Sequence, residues 1–84
     1  MAFDIVYKKS AGKDLAGLVK AEAQRILDKI EKNLAVRADA YPVLKGQFAG
    51  LRKLRVGDYR VIFAVFSEQV LVLRIGHRRE VYGG

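Results

Sequence analysis

The chain of 84 residues contains no cysteine and no tryptophan, and it has one proline and one histidine. Without cysteine, disulfide bonds and thiolate metal sites are excluded. One proline and eight glycines leave no low-complexity tract, and 51% of the residues are hydrophobic, which is typical of a folded domain rather than a disordered chain. A chain of this length predicts a single domain, residues 1–84, with a thin core.

Long apolar runs are also absent. The N-terminal residues lack a basic region followed by an apolar stretch, and no segment approaches the length of a membrane span. Asp, Glu and His do not recur at the spacing of a metal-ligand set. We therefore expect a cytoplasmic protein with no membrane partner, no metal and no cofactor.

Acidic residues are scarce relative to basic ones, and the formal net charge is +7. Residues 1–42 carry eight Lys/Arg against six Asp/Glu, a net charge of +2, whereas residues 43–84 carry eight against three, a net charge of +5. The basic excess therefore lies mostly in the second half of the chain. It favours an anionic partner, either a nucleic acid or an acidic protein.

The first half of the chain predicts a strand followed by helix. Apolar residues alternate over residues 3–7, which indicates a half-buried strand, and Ser10 is a plausible helix N-cap. From Leu15 to Leu34 apolar residues recur every three or four positions, as on one face of a helix. This pattern is compatible with one long helix over 11–34. It is equally compatible with two helices that meet near 17–20.

The second half predicts a loop and three strands. Periodicity is lost over 35–50, which contains the only proline and two glycines, with room for a short helical turn before them. Strands are expected at 51–56, 59–66 and 70–75, and Gly57-Asp58 between the first two is a strong hairpin signal. Within the strand 59–66, residues 61–66 are apolar on both faces, as expected for a central strand. The fold class is therefore α+β, a mostly antiparallel sheet with helices on one face and the first strand at an edge or paired far along the chain.

Four cations fall in or beside the Gly57-Asp58 hairpin. If Leu54 and Val56 face the core, alternation of side chains places Lys53 and Arg55 on the opposite face of the strand. Arg60 follows the turn. An antiparallel meander would add Arg78, with His77 and Tyr82 close by. Arginine forks bind phosphate oxygens and stabilise the extra charge of a pentacoordinate transition state, so the cluster suits a phosphodiester.

Each member of this cluster also has an ordinary interpretation. Arg55 or Arg60 alone is commonly a solvated strand residue or the partner of an acid such as Asp58 or Glu80. A single histidine such as His77 is more often a packing or hydrogen-bonding residue than a catalyst. The residues by themselves therefore indicate a basic α+β domain that binds nucleic acid, with ribonuclease activity as one option.

Three motifs, in this order and spacing, resemble the RelE/ParE toxin superfamily, and most closely the RelE-type mRNA interferases. They are Leu44-Lys45-Gly46, the stretch 54–62 (LRVGDYRVI) and the stretch 72–82 (VLRIGHRREVY). The likeness extends over nearly the whole chain. It implies a helical hairpin packed on a twisted antiparallel sheet, and thus the two-helix alternative. It also implies a toxin of a type II toxin–antitoxin system that a RelB-like antitoxin neutralises.

The resemblance also implies an activity, the cleavage of mRNA in the ribosomal A site by metal-independent attack of a 2′-hydroxyl. Its implied roles are general base for Lys53, phosphate binding for Arg60, transition-state stabilisation or proton donation for Arg78, and nucleotide stacking for Tyr82. His77 becomes a candidate catalyst, because a histidine in this region acts in some relatives. The other basic residues are expected to contact RNA or the ribosome: Lys45, Arg52, Arg55 and Arg79.

The chain departs from the family pattern at three positions. Leu51 occupies the place of a second catalytic-site lysine, Val19 lies near the place of a proline that often separates the two helices, and His77 stands where some relatives have lysine. These changes leave room for altered cleavage specificity. The alternative function implied by the superfamily is inhibition of DNA gyrase by a ParE-like toxin of the same fold.

Overall fold

A computed structural model describes residues 3–46 and 50–77 of the chain. Within these ranges the elements follow the order β1, α1, α2, β2, β3, β4. Their bounds are β1 Asp4–Tyr7, α1 Lys9–Ala16, α2 Lys20–Arg37, β2 Arg52–Val56, β3 Tyr59–Phe66 and β4 Gln69–His77, with a 3₁₀ turn at Ala38–Ala40. The predicted α+β class is confirmed, and the two-helix alternative is correct.

The helical region is divided by the short link Gly17–Val19. The Gly17 N–H donates to the carbonyls of Lys13 and Asp14 and ends α1, and Val19 is extended (φ −60°, ψ 139°) before α2 begins. A single helix over 11–34 is therefore wrong. Ser10 is not an N-cap: Lys8 holds that position, and the Ser10 hydroxyl donates 2.7 Å to the Leu73 carbonyl.

The four described strands form one sheet in the order β1-β4-β3-β2. β2, β3 and β4 are a meander of antiparallel neighbours, and β1 joins at the edge, parallel to β4, with Tyr7 opposite Val72. The predicted placement of the first strand at an edge, beside a strand far along the chain, is thus confirmed. Both hairpins have two-residue turns, and Gly57 provides the positive φ (61°) that its turn requires.

The core lies between α2 and one face of the sheet. Ile26, Ile30 and Leu34 recur every four residues along α2 and are fully buried. They belong to one cluster with inward side chains of every meander strand, including Leu54, Phe63 and Val72. We call this side of the sheet the core face and the opposite side the second face.

Candidate nucleic-acid interface

Two adjacent rows of residues across the meander carry the basic side chains of the second face. In one row Lys53 is opposite Ile62, which is opposite Arg74; in the next, Arg55 is opposite Arg60, which is opposite Gly76. Directly opposite residues of neighbouring strands point to the same side of a sheet. The hairpin therefore brings Lys53, Arg55 and Arg60 together, as the sequence predicts.

Arg60 is the most unusual residue of this group. It is only 7% exposed, and it is the one charged residue among the buried side chains of the described ranges. Its Nε atom is buried and has no hydrogen-bond partner there, while Nη1 makes a long contact (3.4 Å) to the carbonyl of Tyr59. A buried guanidinium with an unpaired donor and no acidic partner among the described residues destabilises a fold, so its presence favours a role outside folding.

The neighbour directly opposite Arg60 is another cation, Arg55. Like charges at opposite positions of a ladder are destabilising. Over residues 3–46 and 50–77 neither arginine forms an ion pair, and Asp58 pairs with neither of them. Arg55 is exposed and donates to the Gly57 carbonyl at 3.4 Å. Two guanidinium groups side by side, with no acidic partner among the described residues, form a local positive field that suits an anion.

Other predicted site residues lie elsewhere. His77 pairs with Tyr59 on the core side of the ladder, the face opposite to Arg60. The His77 and Tyr59 rings pack edge to face, with their centroids 6.0 Å apart. Arg52 also lies opposite a core residue, Phe63, and its Nη1 donates to the carbonyls of Asp39 and Tyr41. The structure therefore does not bring His77 and Arg52 together with Arg60.

Lys45 is exposed on the segment that runs along β2, where Val43 bridges to Arg52 and the Leu44 N–H donates to the Leu51 carbonyl. Leu51 itself is half-buried. The predictions for Arg78, Arg79 and Tyr82 fall outside the described residues. Within the described part of the chain, no three His, Asp or Glu side chains gather to hold a metal ion.

Sequence reasoning missed Arg74. Strict alternation from Val70 and Val72 would place Arg74 on the core face, but the register of β3 and β4 shifts between Ile62 and Phe63. Val72 and Ile75 are both in the core, so the two residues between them point to the second face. The signal in the sequence was a charged residue in an otherwise apolar alternation.

Comparison with known proteins gives the family. The model of the family described as "ParE toxin of type II toxin-antitoxin system, parDE" matches residues 5–82. The chain belongs to the ParE toxin family. This confirms the resemblance to the RelE/ParE superfamily. No curated protein matches the chain significantly.

Solved structures show the same fold as this ParE-family chain. The RelBE2 toxin–antitoxin complex of Mycobacterium tuberculosis has a TM-score of 0.80 at 21% identity, over 93% of this chain and 100% of that chain. The chromosomal ParDE system of P. aeruginosa has a TM-score of 0.75 at 19% identity, over 90% and 96%. The isolated E. coli RelE toxin has a TM-score of 0.72 at 25% identity, over 98% and 93%. Of the helices described in this toxin, none is long and apolar enough to cross a membrane.

Proposed function

We propose that this toxin is a ribosome-dependent endoribonuclease that cleaves mRNA, with Arg60 as the centre of its phosphate site. The observation that carries the proposal is the buried side chain of Arg60, whose Nε has no partner among the described residues and which has a second cation, Arg55, directly opposite. A scissile phosphate beside this guanidinium would supply an acceptor and a negative charge that the described residues do not provide. Its charge increases in the pentacoordinate transition state, so Arg60 would bind that state more tightly than the substrate.

The proposed reaction needs only groups of the RNA and the chain. The ribose 2′-oxygen attacks the adjacent phosphorus, the bond from phosphorus to the 5′-oxygen breaks, and a 2′,3′-cyclic phosphate and a 5′-hydroxyl result. Lys53, in the row next to Arg60, takes the proton of the 2′-hydroxyl. Arg78 is proposed to stabilise the transition state or give a proton to the leaving oxygen, and Tyr82 to stack on the nucleotide. His77 remains a proposal that its position beside Tyr59 does not support.

The proposed partners are the ribosome, its mRNA and a RelB-like antitoxin. Several structural relatives are toxin–antitoxin complexes, including RelBE of E. coli and ParDE of P. aeruginosa. An antitoxin that places acidic residues over Arg55 and Arg60 would block the phosphate site. Arg55, Lys45 and Arg79 are proposed to contact RNA or the ribosome, whereas the contacts of Arg52 with backbone carbonyls favour a structural role for that residue.

Expression of the chain followed by mapping of 5′-hydroxyl ends on cellular RNA tests the proposal. We expect growth arrest and new 5′-hydroxyl ends within translated messages. Arg60→Met should lower cleavage by about 10²-fold or more, the cost of removing one transition-state donor. Lys29→Met, a change of an exposed lysine on α2, is the matched control and should cleave normally. Intact messages on ribosomes during arrest would contradict the proposal.

The second candidate function is inhibition of DNA gyrase, which the match to the ParE family favours. A gyrase inhibitor needs a binding surface but no general base. Expression would then produce gyrase-dependent DNA breaks and an SOS response without 5′-hydroxyl ends on mRNA. If the Lys53→Met and Arg60→Met variants arrest growth as strongly as the unchanged chain does, gyrase inhibition is also favoured over the nuclease.

A further inference from the structure

The edge of β4 has two different neighbours. β1 pairs with β4 only as far as Tyr7 opposite Val72, and the Lys8 N–H donates to the Val72 carbonyl. Beyond Val72, the neighbour of β4 is α1, which contacts the β4 backbone through two side chains one helical turn apart. The Ser10 hydroxyl donates to the Leu73 carbonyl at 2.7 Å, and Asp14 Oδ2 accepts the Ile75 N–H at 2.8 Å. Two side chains of α1 thus make hydrogen bonds to the β4 backbone of the kind that a neighbouring strand would make with its own backbone.

These contacts fall at the register shift of β4. The carboxylate of Asp14, which is 19% exposed, accepts Arg74 Nε at 2.9 Å and Arg74 Nη2 at 3.4 Å as well as the Ile75 N–H. One acid therefore binds both the side chain that the shift turns to the second face and the backbone of the next residue. The following residue, Gly76, lies opposite Arg60.

We propose that Asp14 is a positioning residue of the phosphate site. By binding Arg74 and the Ile75 N–H it fixes the shifted segment of β4, keeps Gly76 opposite Arg60, and holds Arg74 at the border of the basic second face. The function of this positioning rests on the proposed binding of RNA at Arg60. The positioning itself is a property of the free chain and is tested without RNA.

A purely electrostatic role and a positioning role of Asp14 predict opposite changes in anion affinity when Asp14 is replaced. Asp14→Ala raises the formal net charge from +7 to +8 and removes an acid beside a basic surface, which by Coulomb's law alone tightens binding of an anion. A positioning role predicts weaker binding, because Arg60 and Arg74 lose their fixed geometry. Asp14→Asn has the same charge as Asp14→Ala but keeps an oxygen that can accept a hydrogen bond from the Ile75 N–H. The Asp14→Asn variant should therefore bind an anion more tightly than the Asp14→Ala variant.

The first experiment measures hydrogen exchange by NMR in the whole chain. Asp14→Ala should speed exchange of the Gly76 N–H, which directly follows the released Ile75 N–H, by about tenfold, a change equal in size to the loss of one good hydrogen bond. Asp14→Asn should exchange close to the unchanged chain. Asp14→Glu keeps the charge but moves the carboxylate by one methylene, and should give an intermediate increase in the exchange rate. This variant also tests the proposal if Asp14→Ala does not fold. Unchanged exchange in the folded variants would overturn the proposal.

The second experiment measures binding of a fluorescein-labelled oligouridylate with 2′-O-methyl sugars, which cannot be cleaved, by fluorescence anisotropy. We expect Asp14→Ala to bind about three- to tenfold more weakly than the unchanged chain and Asp14→Asn to bind at least as tightly. Asp28→Asn, an equal change of charge on the exposed side of α2, is the control and should not weaken binding. Binding by Asp14→Ala as tight as that of Asp14→Asn would overturn the positioning role. If the unchanged chain does not bind the free oligouridylate, the exchange measurement decides on the positioning role, and the proposed function is judged separately by the mapping of 5′-hydroxyl ends.

Discussion

Arg52 and Arg60 show at the residue scale how one side-chain type takes two roles in a single hairpin. Arg52 points to the core side of the ladder and donates to the carbonyls of Asp39 and Tyr41, at the end of the 3₁₀ turn. Cations near the last carbonyls of a helical segment are stabilising. Arg60 points to the second face, is buried, and has an Nε atom with no partner among the described residues. We infer that Arg52 holds the loop, whereas Arg60 has the burial and the charge that the proposed phosphate site requires.

This difference predicts a trade between stability and activity at Arg60. Arg60→Met keeps most of the aliphatic side chain and removes the buried charge opposite Arg55. We expect the free energy of unfolding to stay equal or to rise by about 1 kcal/mol, while RNA cleavage is lost. Urea denaturation of the two chains measures the change. A loss of more than about 2 kcal/mol would mean that Arg60 stabilises the fold, as expected for breaking a structural pair.

Contacts between β1 and α2 show how elements are held across the core. The Tyr7 hydroxyl donates to Glu31 at 3.2 Å, which ties the edge strand to the long helix. Burial, and then the Glu31 carboxylate, raise the pKa of Tyr7 above its ordinary value of about 10. The neutral phenol is thus favoured in the folded chain. Its contribution to stability is complete below pH 10 and is lost as the pH rises toward the folded-state pKa.

Tyr7→Phe therefore predicts a change in the alkaline limb of the stability profile. The variant should be less stable than the unchanged chain at pH 7, because the bond to Glu31 is lost. The difference should shrink above about pH 10, where the phenol ionises in the unfolded chain but resists ionisation in the folded one. Urea unfolding of both chains between neutral pH and about pH 11 measures this. Stability profiles that stay parallel would contradict the assigned pKa shift.

The N-terminus of α2 offers a second prediction at the element scale. Val19 is the N-cap, is 72% exposed, and makes no side-chain cap, while Glu22 stands three residues later. Glu22 Oε1 is 3.0 Å from Arg25 Nη2 yet accepts no well-aligned hydrogen bond from the described residues. Val19→Ser creates a capping box and should stabilise the fold by about 0.5–1.5 kcal/mol. Val19→Ala, without the hydroxyl, is the control in thermal unfolding; equal gains by both would exclude capping.

Elements with local signals were predictable from the sequence, and their tertiary adjustments were not. The Gly57-Asp58 turn and the alternation around Leu54 correctly gave the β2–β3 hairpin and the face of Lys53, Arg55 and Arg60. The register shift of β4 coincides with contacts of Asp14, which lies sixty residues earlier in the chain than Arg74. No local pattern carries such a contact, and strict alternation along β4 would place Arg74 on the wrong face.

The whole molecule combines a positive net charge of +7 with an uneven placement of that charge. The helices carry lysines on an exposed face, but α2 also carries Glu22, Asp28 and Glu31. The second face of the meander concentrates its cations in two adjacent rows. This asymmetry was visible in the charges of the two halves of the chain. What composition could not show is that Arg60 is buried among them.

Salt dependence of RNA binding tests this charge distribution. On a single strand each phosphate contact contributes about −0.7 to the slope of log affinity against log salt concentration. If Lys53, Arg55 and Arg60 each contact a phosphate, these three residues contribute about −2. Arg55→Gln should reduce the slope by about 0.7, whereas Lys29→Gln, an equal charge change on the exposed face of α2, should leave it unchanged. Titration of the uncleavable oligouridylate at several salt concentrations measures both slopes. An equal reduction by the two variants would mean that RNA responds to the net charge of the molecule and not to the rows on its second face.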